Sequence, residues 1–527
     1  MIVEQKGKND VVVRYRDEND KRQETVIKAF TPYCYVTEED AKYIHGYKKT
    51  GGYTGVFNTP LVKMEGHTTW DIRDLTKTGQ TWEGNIPFTN QALTARVKNG
   101  DKPFASYNHR VWYLDGEWKT TTGEITMLSV YDSFTERLYS WAVMPCGIGK
   151  GKYKQMIDAN QNRYTYDTPV VIFDTEAELL SHFVNFMRKQ DPDIITGWYV
   201  TGADIKQIIE RCGKVGVRAS TMSPMNKLRY EYKDWSQPIV GRNIIDLRLA
   251  FPKLWELKNG KLPNYKLDDV AWEVLGEKKV ELPDGHDTYY SDPVLYLHYN
   301  RIDVELLPKL DKLVNALEYF IAVQHIAQCE IRSTPHITQV FSCLALSDPH
   351  FKQQLPSRPM FEATAYEGAI VMDGEQGLYE NIGIFDIKAM YHSNADLHNI
   401  SWDTLSDDGK DCGNGTCFSQ GEKGLLVRQM DNMTVLRDRY KGLMKRAKTD
   451  AERVRYDALQ YATKSLVASM YGVAGDSKYG LYHPEIASAI TYTSRQTLLK
   501  LASVAEEMGH EVVYGHTDSV MCRVQSP

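Results

Sequence analysis

Two charged helical stretches, 431–449 and 451–472, stand back to back with only Asp450 between them. Stretches joined so closely fold back as antiparallel helices around a tight turn. Strand-like and helical patterns alternate ahead of this pair, so the expected class is α/β and α+β in several domains. With 527 residues and 42% hydrophobic content the chain is too long for one ordinary core, and three or four domains are expected. Residues 1 to about 105 alternate short β-rich runs (VVVRYR, ETVIKAF, YCYVT) with polar turns. RVWYLDGEW, EITMLSVYD and RLYSWAVMP then read as a meander of strands. EAELLSHFVNFMRKQ has helical spacing with Asp174 as its N-cap, DPDIITGWYV reads as loop and strand, and ADIKQIIERCGKVG reads as a helix ending near glycine. Strands and helices alternate to about residue 310, and 302–346 is mostly helical. The Pro-rich bend LPSRPM at 355–360 marks a boundary. Beyond it come a strand-rich segment to about 400, the helical pair, a helix over 484–508 and a final hairpin, EVVYGHTDSVMCRV.

A net charge of −6 argues against a uniformly basic nucleic-acid binder but permits a local basic groove around a carboxylate centre. The eight cysteines form no paired CxxC clusters, and Cys412/Cys417 in CGNGTC lack two further ligands for zinc, so free thiols in a reducing cytosol are expected. The charged N-terminus has no apolar core, and no apolar run approaches about 18 residues, so a soluble, cytoplasmic protein without membrane partners is expected.

Asp115 and Glu117 lie at the end of a strand pattern, where two-residue spacing puts both carboxylates on one face, suited to a divalent ion. Taken alone the signal is weak, because Asp174/Glu176, Asp303/Glu305, Asp373/Glu375 and Asp450/Glu452 repeat the DxE spacing, and most such pairs are helix caps or solvated acids. Downstream stand Asp204, and Tyr299 four residues before Asp303 on one helical face. A tyrosine hydroxyl beside a carboxylate can orient a water for attack on phosphorus, and four acids can hold two metals about a phosphodiester. In the second half Asp386 ends the strand IGIF, and Asp518 sits at the tight turn of the last hairpin. Acids from different strands are suitable Mg²⁺ ligands. Arg437 and Lys441 share a face of the first helix of the pair, and Lys464, Ala468 and Tyr471 share a face of the second. Such cations can clamp a triphosphate, although a segment of this kind by itself reads as a solvated, salt-bridged hairpin.

In their order and spacing, the segments around Asp115/Glu117, Asp204 and Tyr299/Asp303 resemble exonuclease motifs I, II and III of the family B DNA polymerases. DIKAMYHS, KSLVASMYG and YGHTDS resemble that family's polymerase motifs A, B and C, and TAYEGAI resembles its link between nuclease and polymerase modules. The match runs over roughly residues 100–525. It implies a DNA-directed DNA polymerase with a 3′–5′ proofreading exonuclease, using two Mg²⁺ ions per site with Mn²⁺ as a substitute. It implies metal ligation by Asp115, Glu117, Asp204 and Asp303 with Tyr299 orienting water, and by Asp386 and Asp518 with the Ile387 carbonyl assisting. Tyr391 would stack under the incoming sugar, Lys464, Arg437 and Lys441 would contact the triphosphate, and Tyr471 would border the nascent pair. The implied division is a β-rich domain over 1–105, a ribonuclease H-like exonuclease over 106–340 and a returning linker over 341–376. A palm over 377–420 and 481–527 would then be interrupted by helical-hairpin fingers over 421–480.

Several positions depart from the family pattern. Tyr199 and Ala203 stand where its second motif has Asn and Phe, which grip the primer end. His516 replaces the first Asp of motif C, removing one charge, so metal-tuned or weaker synthesis is expected. Ala468 and Ala389 replace the usual Asn and Ser, thinning the triphosphate contacts. The expected partners are primer–template DNA, dNTPs, a second polypeptide bearing a thumb, and a sliding clamp or other accessory proteins; a compact chain of this kind looks viral, which would place it in host cytoplasm. Two other functions compete: a 3′–5′ single-strand exonuclease fragment with little or no polymerase activity, and a non-catalytic DNA-binding subunit.

Overall fold

The computed structural model describes all residues except 18, 20, 106–107, 146–147, 160–169, 373, 375 and 525–527. Cys146 and the Asp373/Glu375 pair therefore lie outside the described residues.

The chain begins with an antiparallel sheet of strands Ile2–Lys6, Asp10–Arg16 and Arg22–Ile27. Its buried Val11 and Val13 pack with Ala92 and Leu93 of helix Phe88–Lys98. A second sheet places Pro60–Glu65 between Tyr33–Thr37 and Lys48–Thr54. The first sheet docks on the next unit through ion pairs: Arg16 and Arg22 both hold Asp193, and Arg22 also reaches Asp191 at 3.0 Å.

That next unit is a six-stranded sheet in the order 170–173, 137–143, 125–132, 111–118, 194–197, 243–246. Strands 111–118, 125–132 and 137–143 form the antiparallel meander, while 194–197 runs parallel to both of its neighbours. Alternation in Val111–Trp118 sends Trp112 and Leu114 to a core with helix Glu176–Gln190, and Val111 and Tyr113 to a core with helices Leu247–Asn259 and Pro293–Val314. By the same parity Asp115 and Glu117 face helix Pro293–Val314. The cap of Glu176–Gln190 is Thr175, not Asp174: the Thr175 hydroxyl accepts from Glu178 N, and the Glu178 carboxylate accepts from Thr175 N. This reciprocal capping box outcompetes a lone aspartate cap one residue earlier.

Helices Ala316–Ala327 and Ile337–Ser347 lead to the Pro-rich bend, which returns to the N-terminal sheets. There Gln354 bridges to Gly55, Pro356 bridges to Trp82, and the Ser357 hydroxyl accepts from Thr81 and Gly84. The second half holds a four-stranded sheet in the order 371–372, 511–516, 519–523, 382–386, backed by helix Pro484–Glu507. The strand-rich reading to residue 400 is corrected here: after Ile382–Asp386 the chain forms helix Met390–His398, which has no β-branched residue to disfavour it. The long pair spans Leu425–Arg446 and Asp450–Met470, the second capped by Thr449 and Glu452. Among the described residues no helix is long and apolar enough to cross a membrane.

Candidate active sites

The first acid cluster forms where the six-stranded sheet meets helix Pro293–Val314. Ligand atoms of Asp115, Glu117 and Asp303 lie within 4.8 Å of one another. Asp204 joins them from the first turn of helix Asp204–Lys214, and its Oδ1 accepts the Gly116 amide at 3.0 Å. Glu117, Asp204 and Asp303 are buried, and Asp115 is partly exposed. Burial first, and neighbouring carboxylates second, raise the Asp115 carboxyl well above its ordinary range. Burial also pushes Asp303 up to about 7, although Lys279 opposes the shift.

Two basic groups reach the cluster: His286, whose Nδ1 lies 3.5 Å from Glu117 Oε2 and whose pKa that contact raises, and Lys279. Its ammonium contacts Asp303 Oδ2 and lies 3.4 Å from the Tyr299 hydroxyl. Burial alone would depress that ammonium, but Asp303, Tyr299 and Asp115 outweigh it and raise its pKa. Tyr299 is half-buried and stacks on Tyr296. The Tyr296 hydroxyl donates to Glu117 Oε2 at 3.3 Å, and Asn300 Nδ2 donates to Asp115 Oδ2 at 2.7 Å. Asp303 Oδ1 is buried with no hydrogen-bond partner among the described residues. A buried carboxylate oxygen without a donor, among converging acids, fits an oxygen-preferring divalent cation.

Beside this cluster Tyr199 has φ 71° and an exposed ring, with the Arg248 guanidinium 4.8 Å from its centroid. Asp246 holds the strained turn by accepting from Tyr199 N at 2.9 Å and Thr201 N at 3.2 Å. Ala203 precedes Asp204 as the helix cap and makes no side-chain capping bond.

The second pair comes together on the four-stranded sheet. Asp386 ends strand Ile382–Asp386 directly opposite Ser519, and Ile387 N donates to the Asp518 carbonyl at 2.9 Å. The Ser519 hydroxyl bridges the two acids, 3.0 Å from Asp386 Oδ2 and 3.4 Å from Asp518 Oδ1. Thr517 makes the turn at φ 55°, and its hydroxyl meets His516 Nδ1 at 3.0 Å. Tyr391 and Tyr471 stack face to face with centroids 4.2 Å apart and planes 3° apart. Burial, Tyr471 and Asp518 together raise the Tyr391 phenol, which puts that stack beside the acid pair. Lys464 and Ala468 are exposed on the second long helix, and Arg437 and Lys441 are partly exposed on the first. Lys464 forms no ion pair among the described residues, and Arg437 Nε is buried without a partner.

Of the residues the sequence did not single out, Tyr296 and Asn300 share the helical face of Tyr299 and Asp303, so their spacing carried a signal. Ser519 lies beside Asp518 in the quoted hairpin. Lys279 reaches the cluster from a loop 24 residues before Asp303, and no local pattern marks it.

Two acid clusters thus stand in the two halves of the chain, one on the six-stranded sheet and one on the small sheet beside the helical hairpin, in the order that the resemblance implies. Comparison with known proteins agrees: the model "DNA polymerase family B" matches residues 338–526, and "DNA polymerase family B, exonuclease domain" matches 142–270. The chain belongs to family B of the DNA polymerases. The first match contains Asp386 and Asp518; the second contains Asp204 but stops short of the other acids of the first cluster on both sides. The chain is 26% identical to a DNA polymerase of Paramecium bursaria Chlorella virus NY2A over 67% of its own length and 44% of the relative's. It is 25% identical to DNA polymerase 1 of Pyrococcus abyssi over 86% of its length and 58% of the relative's. It is 28% identical to the DNA polymerase delta catalytic subunit of Oryza sativa subsp. japonica over 67% and 36%. The matched regions thus cover between about a third and three-fifths of these curated relatives.

Proposed function

We propose that this chain carries both centres of a DNA-directed DNA polymerase: a 3′–5′ exonuclease at Asp115, Glu117, Asp204 and Asp303, and a nucleotidyl-transfer centre at Asp386 and Asp518. The observation that carries the reading is that acids scattered over 404 positions, from Asp115 to Asp518, gather into two separate clusters on two separate sheets. The meander continued by parallel strands, with helices on both faces, supports a ribonuclease H-like unit over 106–340. The helical pair supports fingers over 421–480, standing between palm segments 377–420 and 481–527.

When bound, paired Mg²⁺ ions, or Mn²⁺ in their place, would stabilise the attacking and leaving oxygens at each centre. In the nuclease unit the four acids supply oxygen ligands, while Tyr299, held by its stack on Tyr296 and its contact with Lys279, presents a hydroxyl to orient water. At the second centre the Ile387 carbonyl assists Asp386 and Asp518. Tyr391 packs under the sugar of an incoming dNTP and excludes a 2′-hydroxyl, and the parallel stack with Tyr471 fixes its ring. Lys464, Arg437 and Lys441 meet the triphosphate, and Tyr471 borders the new pair. A thumb-bearing second polypeptide, a sliding clamp and a host-cytoplasm location are carried by the family resemblance alone.

A labelled primer–template with Mg²⁺, with and without dNTPs, tests the reading. Wild-type chain lengthens the primer only with dNTPs and shortens it without them. Asp386→Asn abolishes lengthening and keeps shortening; Asp115→Asn does the reverse. Shortening alone would support an exonuclease fragment, and binding without chemistry a non-catalytic subunit.

A further inference from the structure

We propose that Asn300 is a positioning residue of the nuclease centre: its amide holds one oxygen of Asp115 so that the other faces the divalent ion, and Tyr296 does the same for Glu117. The inference rests on the nuclease reading and extends it to residues that touch neither metal nor substrate. Tyr296, Asn300 and Asp303 stand at i, i+4 and i+7 of helix Pro293–Val314, so one face delivers a ligand and two donors. Asn300 is fully buried, and its only side-chain hydrogen bond among the described residues is the 2.7 Å bond from Nδ2 to Asp115 Oδ2. Its own Oδ1 is buried without a partner among the described residues. Leaving a buried amide oxygen unpaired is unfavourable, and an apolar side chain of similar size would avoid that cost. What the amide contributes is therefore the bond to Asp115. Tyr296 is likewise buried, with its hydroxyl 3.3 Å from Glu117 Oε2 and 3.1 Å from His286 Nδ1, which itself lies 3.5 Å from that carboxylate oxygen. Lys279 takes Asp303 Oδ2. Each of the three clustered acids then has one oxygen engaged by a donor and one left for an ion. Without those donors the like-charged carboxylates would turn apart, and an ion would have to draw them together as it bound.

The test uses the full chain with Asp386→Asn and Asp518→Asn, which removes the other acid pair as a competing site. Mn²⁺ binding is followed by electron paramagnetic resonance, and shortening of a labelled single strand is followed as Mn²⁺ is raised. Asn300→Leu should weaken Mn²⁺ binding about 10–100-fold and shift the Mn²⁺ needed for half-maximal shortening by a similar factor. The rate at saturating Mn²⁺ and the KM for DNA should stay near the parent's. Tyr296→Phe, which keeps the ring, should shift both in the same direction by less. Should Asn300→Leu fail to fold, Asn300→Ser carries the same comparison. Unchanged Mn²⁺ affinity, or a lost rate that no Mn²⁺ concentration restores, overturns the proposal. A parent that binds Mn²⁺ but cuts nothing overturns the nuclease reading while the affinity comparison still decides the positioning role; a parent that binds none overturns both.

Discussion

Replacing Lys279 with methionine should destabilise the metal-free protein at pH 8 and barely affect it at pH 5. Lys279 is the cation in contact with Asp303, whose side chain is 3% exposed. Without the cation the carboxyl can take up a proton instead, which limits the cost at pH 8 to about 1–2 kcal/mol, because its folded pKa of about 7 lies only about one unit below that pH. The pH dependence follows from Asp303. Its carboxyl is pushed up to about 7 in the fold, above the 3.8 of the free group. A group raised in this way contributes stability that is complete below the unfolded value and is lost as pH rises through the folded one. At pH 5 the acid is protonated and needs no cation, so the substitution costs little. At pH 8 the parent holds an ion pair, and the variant must either bury a bare carboxylate or take up a proton. For a unit of 150–250 residues, about 1–2 kcal/mol corresponds to a melting shift of roughly 2–8 °C. The assay is calorimetry of the nuclease-unit transition at both pH values, with and without Mg²⁺. Adding Mg²⁺ should recover much of the loss at pH 8, since an ion among the acids replaces the missing charge. Equal destabilisation at pH 5 and pH 8, or a deficit at pH 8 that Mg²⁺ leaves untouched, would refute the electrostatic account and make Lys279 a packing residue.

Three further outcomes are expected. Tyr199→Ala should raise the KM for a single-stranded 3′ end by roughly 5- to 100-fold, since base stacking on an exposed aromatic is worth about 1–3 kcal/mol; steady-state shortening kinetics check this, and an unchanged KM removes Tyr199 from the strand path. His516→Asp should change the relative rates of dNTP incorporation with Mg²⁺ and Mn²⁺, because it restores a negative charge two residues from Asp518; identical metal profiles would show that the position does not sense the ions. Tyr391→Ala should increase ribonucleotide incorporation relative to deoxyribonucleotide in competition assays, and an unaltered ratio would dismiss its ring as the sugar barrier.

What was legible in the sequence was whatever depends on local spacing. The two-residue step from Asp115 to Glu117 fixes a common strand face, and the four-residue step from Tyr299 to Asp303 fixes a common helix face. The acid pair Asp386/Asp518 was readable because each ends or turns a short strand, while the joining of those strands through Ser519 became visible only in the fold. The helical pair was readable from its length, although its first member starts at Leu425 rather than 431, where an apolar LLV run belongs to the helix. Helix Met390–His398 was missed because nine residues with few apolar positions give too weak a period. Lys279 was invisible for a different reason: a loop residue meets its partner through the packing of two helices, and nothing local encodes that meeting.

The two clusters differ in how the protein accommodates crowded negative charge, and that difference predicts how each responds to distant change. The acids of the first cluster sit on a wide sheet and two helices, largely buried, with donors already in place from Asn300, Tyr296, Lys279 and the Gly116 amide. Those bonds hold one oxygen of several of the acids, while burial still raises the Asp115 and Asp303 carboxyls. Asp386, by contrast, is exposed, and Asp518 is only partly covered; Ser519 and the Ile387 amide tie them across a hairpin whose turn depends on Thr517 at φ 55°. A β-branched residue in the left-handed region is strained, so the turn holds only while the flanking strand pairs are intact. Weakening the 511–516/519–523 ladder should therefore separate Asp386 from Asp518 and suppress incorporation, while the nuclease cluster, on its own sheet, keeps its geometry and its activity.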